Sequence, residues 1–182
     1  MEELSAYSER VLMTEEEIHE MVARLGAEIT RDYAGKKLFL ICVLKGGFVF
    51  MADLVRAIDL PLEVDFIAVS SYGSSTKTSG VVRLLKDIDK PLNDKHVLIV
   101  EDIMDSGLTL KYIKAMFENR SPLSIKICTA FDKPDRRKVD ITPDYVGAVI
   151  PDEFVVGYGL DYDGILRNLP DLSILKREVY EK

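Results

Sequence analysis

Glu101, Asp102 and Asp105 place three carboxylates within five residues, and Ser106, Gly107, Leu108 and Thr109 follow at once. Carboxylates can take up hydroxyl groups, a divalent cation or a proton. The residues behind them offer the opposite chemistry: small side chains, two hydroxyls and backbone N–H groups which, at a helix start, attract an anion. A bare phosphate would be held by the second half and repelled by the first. A ligand carrying both a phosphate and neutral hydroxyls, with a divalent cation between it and the acids, satisfies both, and a sugar phosphate has that chemistry. Any one acid taken alone is equally an ordinary residue of a helix N-terminus, favoured by the macrodipole. The whole string favours a site. Other phosphate chemistries fit less well: Gly-x-x-x-x-Gly-Lys-Ser/Thr does not occur, and a phosphoacceptor receiver would draw its acids from separate strands.

Such a string has to be carried by a strand that ends and a helix that begins. Residues 96–100 read as an apolar strand and 108–117 as a helix. Upstream, Thr14 and Glu17 form a capping box, with Met13 and Ile18 placed as a hydrophobic staple. Ile18, Met21, Val22, Leu25 and Ile29 then recur with helical period, up to a stop near Gly35. The continuous apolar run 37–44 suits a strand covered on both faces. Lys45-Gly46-Gly47 turns it into a helix predicted over 48–58, and further strands are predicted at 63–70, 81–85, 125–131 and 145–150. The Ser-, Thr- and Gly-rich segment between 70 and 80 reads as a hairpin loop. This alternation predicts an α/β domain, a doubly wound, mostly parallel sheet flanked by helices. Ligands in such sheets bind outside the carboxyl ends of the strands.

Composition narrows the classes. The 182 residues suit one domain, and 47% apolar with 30% charged residues is a globular balance. Lys and Arg number 24 against 31 Asp and Glu, a net charge of −7 that disfavours non-specific nucleic-acid binding. No apolar stretch reaches the roughly 18 residues of a membrane span, and the first residues lack a signal-peptide pattern. Cys42 and Cys128 each sit in an apolar run without a Cys-x-x-Cys pair, so two buried thiols in a reducing cytoplasm are expected. His19 and His96 have no metal spacing between them and read as ordinary surface or packing residues.

Residues 98–109 resemble the signature by which phosphoribosyltransferases bind phosphoribosyl pyrophosphate. The segments 43–47, 70–73, 132–134 and 151–162 are similar to bacterial hypoxanthine-guanine phosphoribosyltransferases, and the resemblance runs from about 11 to 180. It implies a type I phosphoribosyltransferase-like fold in a single domain 1–182: a core of about 36–150, a small hood from about 1–12 and 151–182, and a flexible β-hairpin lid at about 70–80. It implies salvage of hypoxanthine and guanine to IMP and GMP with release of pyrophosphate, dependent on Mg2+. Asp105 is then the general base at purine N7. Asp105, Ser106, Gly107, Leu108 and Thr109 hold the 5-phosphate, and Glu101 and Asp102 take the ribose hydroxyls. Lys45, Gly46, Arg167, Ser71 and Tyr72 serve the pyrophosphate, with a non-proline cis peptide in the 44–46 loop. Ile103, Lys133, Phe154, Val155 and Asp161 serve the purine, with Lys133 reading the 6-oxo group and Phe154 stacking on the ring; Glu101, Asp102 and Asp161 serve the metal.

Blander readings stand beside these. Lys45-Gly46-Gly47 is also a plain strand-to-helix turn, Phe154-Val155-Val156 a core strand, and Arg136, Arg137 and Lys138 a solvated charged face. Expected partners are a 6-oxopurine and phosphoribosyl pyrophosphate, with no nucleic acid, no membrane, and a homo-oligomer, dimer or tetramer. The alternatives are a nucleotide-sensing RNA-binding regulator on the same fold, which needs a basic face, and a xanthine-preferring sibling enzyme.

Overall fold

The structure, a computed structural model, describes residues 6–71 and 82–180. Tyr72 and most of the 70–80 loop therefore lie outside the described residues.

Strand β1 (Ser8–Met13) leads into α1 (Glu15–Asp32). The capping box is formed: Glu17 N–H donates to Thr14 Oγ1 at 3.3 Å, and Thr14 N–H donates to the Glu17 carboxylate at 2.7 Å. The apolar stripe from Ile18 to Ile29 is buried. There follow β2 (Leu38–Leu44), α2 (Phe48–Ala57), β3 (Leu62–Ser71), β4 (Val82–Lys86), β5 (His96–Met104), α3 (Leu108–Glu118) and β6 (Ser124–Asp132). A 3-10 turn (Pro134–Arg136), β7 (Tyr145–Val149), β8 (Val155–Val156), β9 (Leu172–Leu175) and α4 (Arg177–Tyr180) complete the chain.

Six strands form one sheet in the order β4-β3-β2-β5-β6-β7, parallel except where β4 returns antiparallel to β3. Strand alternation divides the core in two. Leu38, Leu40 and Cys42, with Leu98, Val100, Cys128 and Ala130, pack under α1 and α2. Phe39, Ile41 and Val43, with Val97, Ile99 and Ile127, pack against Leu110, Ile113 and Phe117 of α3. Burial on both faces explains why these strands read as unbroken apolar runs. Helices α1 and α2 meet closely at Gly26, where a Cβ would lie 2.5 Å from the Ala57 carbonyl oxygen.

The chain leaves β2 toward β3 on one side and leaves β5 toward β6 on the other. The space above the carboxyl ends of β2 and β5 is therefore the topological switch point, where open α/β sheets bind ligands. One expectation needs correction here. Strand β5 does not end at Val100 but continues to Met104, because β6 keeps pairing with it as far as Met104–Asp132. Glu101, Asp102 and Ile103 thus belong to a strand, not to a turn. Strand β2 pairs with β5 only up to Cys42–Val100, so the two acids stand beyond that pairing.

Both ends of the described chain contribute to a second sheet, β1-β9-β8, antiparallel throughout. It holds a small core of Val156, Leu166, Leu169 and Leu175, flanked by Tyr162 and Tyr180. Strand β8 is the core strand that the blander reading of Phe154-Val155-Val156 offered, whereas β9, four residues long, carries no alternation long enough to read from sequence and went unpredicted.

Candidate active site

Glu101 and Asp102 are both buried, 9% and 8% exposed. Burial, reinforced by the Asp102 charge beside it, holds Glu101 well above the ordinary carboxylate range. Asp102 is raised too, by burial first. Two adjacent buried acids of this kind invite hydroxyl donors or a cation. Asp102 accepts from the Ile103 N–H at 2.7 Å and packs on the loop after β2. A Cβ at Gly46 would stand 1.5 Å from Asp102 Oδ2, so only glycine lets the loop and the carboxylate lie this close. The Leu44–Lys45 peptide is cis, as the resemblance implied, and the Lys45 side chain is exposed.

Beyond β5, Asp105 is exposed, and its Oδ1 accepts from the Ser106 N–H at 2.5 Å and from Ser106 Oγ at 3.2 Å. Gly107 takes φ of 78° as the N-terminal cap of α3, where no side chain caps the helix. The first N–H groups of α3 have no intrahelical acceptor and are free for an anion. A cleft of about 140 Å³ lies against them, lined by Glu101, Asp102, Ile103, Asp105, Gly107 and Thr109 among others. Carboxylates and anion-binding amides therefore share one small space.

Next to it opens a cavity of about 540 Å³, and Ile103, Asp105, Lys133, Phe154, Val155 and Asp161 all line it. These come from the end of β5 and the residue just beyond it, the loop after β6, and β8 with the residues on either side of it. Lys133 is buried, and burial lowers its pKa below the usual lysine value. Its Nζ donates to the Glu153 carbonyl oxygen at 2.5 Å. Phe154 is 40% exposed, with Tyr180 stacked on it at 5.1 Å between centroids and Tyr162 edge-on at 5.9 Å. A flat heterocycle can meet an aromatic face, a cationic donor and a carboxylate here.

Asp161 and Arg167 are not independent. They form an ion pair at 2.7 Å, and Arg167 also donates to the Gly159 carbonyl at 2.7 Å. Gly159 in turn lies so near the Gly46 carbonyl oxygen that a Cβ would fall within 2.2 Å of it. The loop after β8 is thereby seated on the loop after β2. Ser71 ends β3, and Tyr72 lies outside the described residues. Among the described residues no three His, Cys, Asp or Glu side chains gather to cage an ion by themselves. The Glu101–Asp102 pair instead fits a hard cation such as magnesium, which keeps waters and takes one or two carboxylates beside substrate oxygens.

Several residues of the site were not singled out from sequence. Arg136, read as solvated, is exposed, and it also lines the cavity of about 540 Å³ and pairs with Asp152 at 2.8 Å. Arg137, read the same way, is only 15% exposed and paired with Asp132. Within a run of like charges nothing local marks which side chain turns inward. Leu160, Arg177 and Tyr180 also line the cavity. His19 is exposed, and His96 Nδ1 shares a hydrogen bond of 2.7 Å with Ser124 Oγ; neither is among the residues that line the two cavities.

Adjacent buried acids, an uncapped helix start and a cavity with an aromatic wall at one switch point have the chemistry to handle a phosphorylated sugar together with a heterocycle. Residues 14–163 match the phosphoribosyl transferase domain, and the chain belongs to that family. It is 53% identical over 173 residues to the hypoxanthine-guanine phosphoribosyltransferase of Bacillus subtilis, covering 95% of this chain and 96% of that one. The Streptococcus thermophilus protein of the same name is 49% identical over the same shares. A crystal structure of a Staphylococcus aureus hypoxanthine phosphoribosyltransferase superposes with a TM-score of 0.94 at 48% identity, covering 97% of this chain and 96% of that chain.

Proposed function

We propose that this phosphoribosyltransferase joins hypoxanthine or guanine to the ribose of 5-phosphoribosyl 1-pyrophosphate, giving IMP or GMP and pyrophosphate, with magnesium. The observation that carries the reading is that Asp105, Lys133 and Phe154 line one cavity of about 540 Å³ beside the cleft at the start of α3. Residues 105–109 hold the 5-phosphate and Glu101 and Asp102 the ribose hydroxyls. The purine lies on Phe154 with its 6-oxo oxygen accepting from Lys133 Nζ, and the Val155 backbone and Ile103 bound the slot. Adenine presents an amino group there, donor against donor, and a site built for an acceptor rejects it. The bond from ribose C1 to the pyrophosphate oxygen breaks while the bond to the purine nitrogen forms, and the purine proton passes to Asp105. The departing pyrophosphate is assigned to Lys45, Gly46 and Arg167, and to Ser71 and Tyr72 by resemblance. Glu101 and Asp102 would hold one magnesium ion through the ribose hydroxyls and Asp161 a second, and the ions would supply positive charge beside the pyrophosphate.

The hood and core arrangement belongs to the same reading, supported by the second sheet and its separate small core. A homo-oligomer is supported by Phe48 and Ile165, 45% and 50% exposed beside one groove. A cytoplasmic setting is supported by Cys42 and Cys128, both buried and unpaired. No helix of the described residues is long and apolar enough to cross a membrane. Product formation from phosphoribosyl pyrophosphate with each of adenine, guanine, hypoxanthine and xanthine tests the reading. Turnover of hypoxanthine and guanine is expected, and efficient use of adenine would overturn it; a preference for xanthine would move the assignment to a sibling enzyme.

A further inference from the structure

The carbonyls of the anion loop point backwards, and one side chain receives the first of them. Arg137 donates from one guanidinium nitrogen to the Asp105 carbonyl oxygen and from another to the Asp132 carboxylate. The Lys138 N–H donates to the Ser106 carbonyl at 3.0 Å. Behind Gly107 the same segment packs closely: a Cβ there would lie 3.1 Å from Arg137 Cδ and 2.6 Å from Ile141 Cγ2. In a trans peptide the C=O and N–H point in opposite directions. Turning the carbonyls of Asp105 and Ser106 toward 137–138 therefore turns the N–H groups of Ser106 and Gly107 away from that segment, and the Ser106 N–H meets the Asp105 carboxylate. The same plane fixes the Asp105 Cα from which its carboxylate projects.

The second contact reaches another part of the site. Asp132 is the last residue of β6, is 6% exposed, and immediately precedes Lys133. Lys133 N–H is itself bonded to the Met104 carbonyl at 2.9 Å, on the strand that carries the acids. One guanidinium thus grips the residue that accepts the proton and the residue next to the one that reads the base. Only a planar fork of donors can do this; a lysine ammonium on its flexible stem can hold one partner but cannot bridge the two in a fixed plane.

On the reading of the site as a 6-oxopurine phosphoribosyltransferase, we propose that Arg137 is a positioning residue that sets the distance and angle between Asp105 and the purine held by Lys133. It touches neither substrate. Its effect falls on the chemical step, where a displacement of about 1 Å can cost about 100-fold in rate.

The test compares Arg137→Ala and Arg137→Lys with wild type by single-turnover kinetics at saturating substrates, binding titrations of both substrates, and melting temperature, all referred to folded protein. The Ala variant is expected to lose roughly 10–100-fold in single-turnover rate, with both dissociation constants within a few-fold of wild type. The Lys variant should fall between, and added methylguanidinium should restore part of the rate to the Ala variant. A rate per folded molecule within a few-fold of wild type overturns the proposal; if the Ala variant does not fold, the Lys variant decides by the same criterion. A loss that lies in substrate affinity alone overturns it too, as does one that follows the fall in melting temperature and that methylguanidinium leaves unchanged. A folded wild type without turnover would overturn the proposed function, and this inference with it, whereas a working wild type beside unaffected variants overturns only the role of Arg137.

Discussion

Asp105 and Lys133 illustrate how differently two side chains of one cavity are prepared. Asp105 is exposed and accepts from the N–H and hydroxyl of the neighbouring Ser106, and on the proposed reading it turns toward a base while the following amides take a phosphate. Asp105→Asn keeps the shape and removes the proton acceptor. The single-turnover rate should fall by roughly 10²–10⁴-fold, with phosphoribosyl pyrophosphate still binding in a titration; a rate within a few-fold of wild type would make Asp105 a phosphate-loop residue only. Lys133 is buried, and desolvation lowers its pKa below the usual lysine value. Its donating form is the ammonium, present below the lowered pKa and lost as pH rises through it. The KM for hypoxanthine should therefore climb on the alkaline side earlier than an exposed lysine would allow. Lys133→Ala should raise that KM at neutral pH and remove the alkaline dependence, and a variant that keeps both the wild-type KM and its pH profile would discount base reading by this residue.

At the scale of elements, the site depends on where strands stop and helices start. Strand β5 outruns β2 and so presents Glu101 and Asp102 past the edge of their pairing. Helix α3 starts without a side-chain cap, which leaves its amides to a ligand, whereas α1 is fully capped by Thr14 and Glu17. The contrast separates stability from function. Thr14→Ala should cost about 1 kcal/mol of unfolding free energy, as loss of an N-cap does, read from denaturant midpoints. Its kcat and KM should match wild type, because α1 starts outside the residues that line either cavity. A change in kinetics without loss of stability would contradict this division.

For the whole molecule, the governing fact is an acidic chain, net −7, that must bind a polyanion. On the proposed reading its local answer is the α3 N-terminus, Lys45 and Arg167, with a cation at the acids Glu101 and Asp102. Chelation should abolish turnover and magnesium should restore it. Phosphoribosyl pyrophosphate with magnesium should also raise the melting temperature, stabilising by about 2.7 kcal/mol at 100 times its Kd. Full turnover in chelator would sink the metal's part in the mechanism. The same acidity argues against the RNA-binding alternative, since counterion release needs clustered Lys and Arg.

Much of this was legible in the residues themselves. The capping box, the apolar stripe of α1 and the buried runs of β2 and β5 are local patterns, set by helical period and by burial on both faces. The string from Glu101 to Thr109 stood out as a candidate site because its parts are adjacent in the chain. Other features were decided only by tertiary structure. That β5 reaches Met104 follows from its pairing with β6, and that β1, β8 and β9 form a sheet follows from strands brought together from distant parts of the chain. The inward turn of Arg137, between exposed Arg136 and exposed Lys138, arises from a carbonyl and a carboxylate 32 and five residues away. Chain-local patterns record periodicity and adjacency, and a contact between residues far apart in sequence leaves no such trace until the fold closes around it.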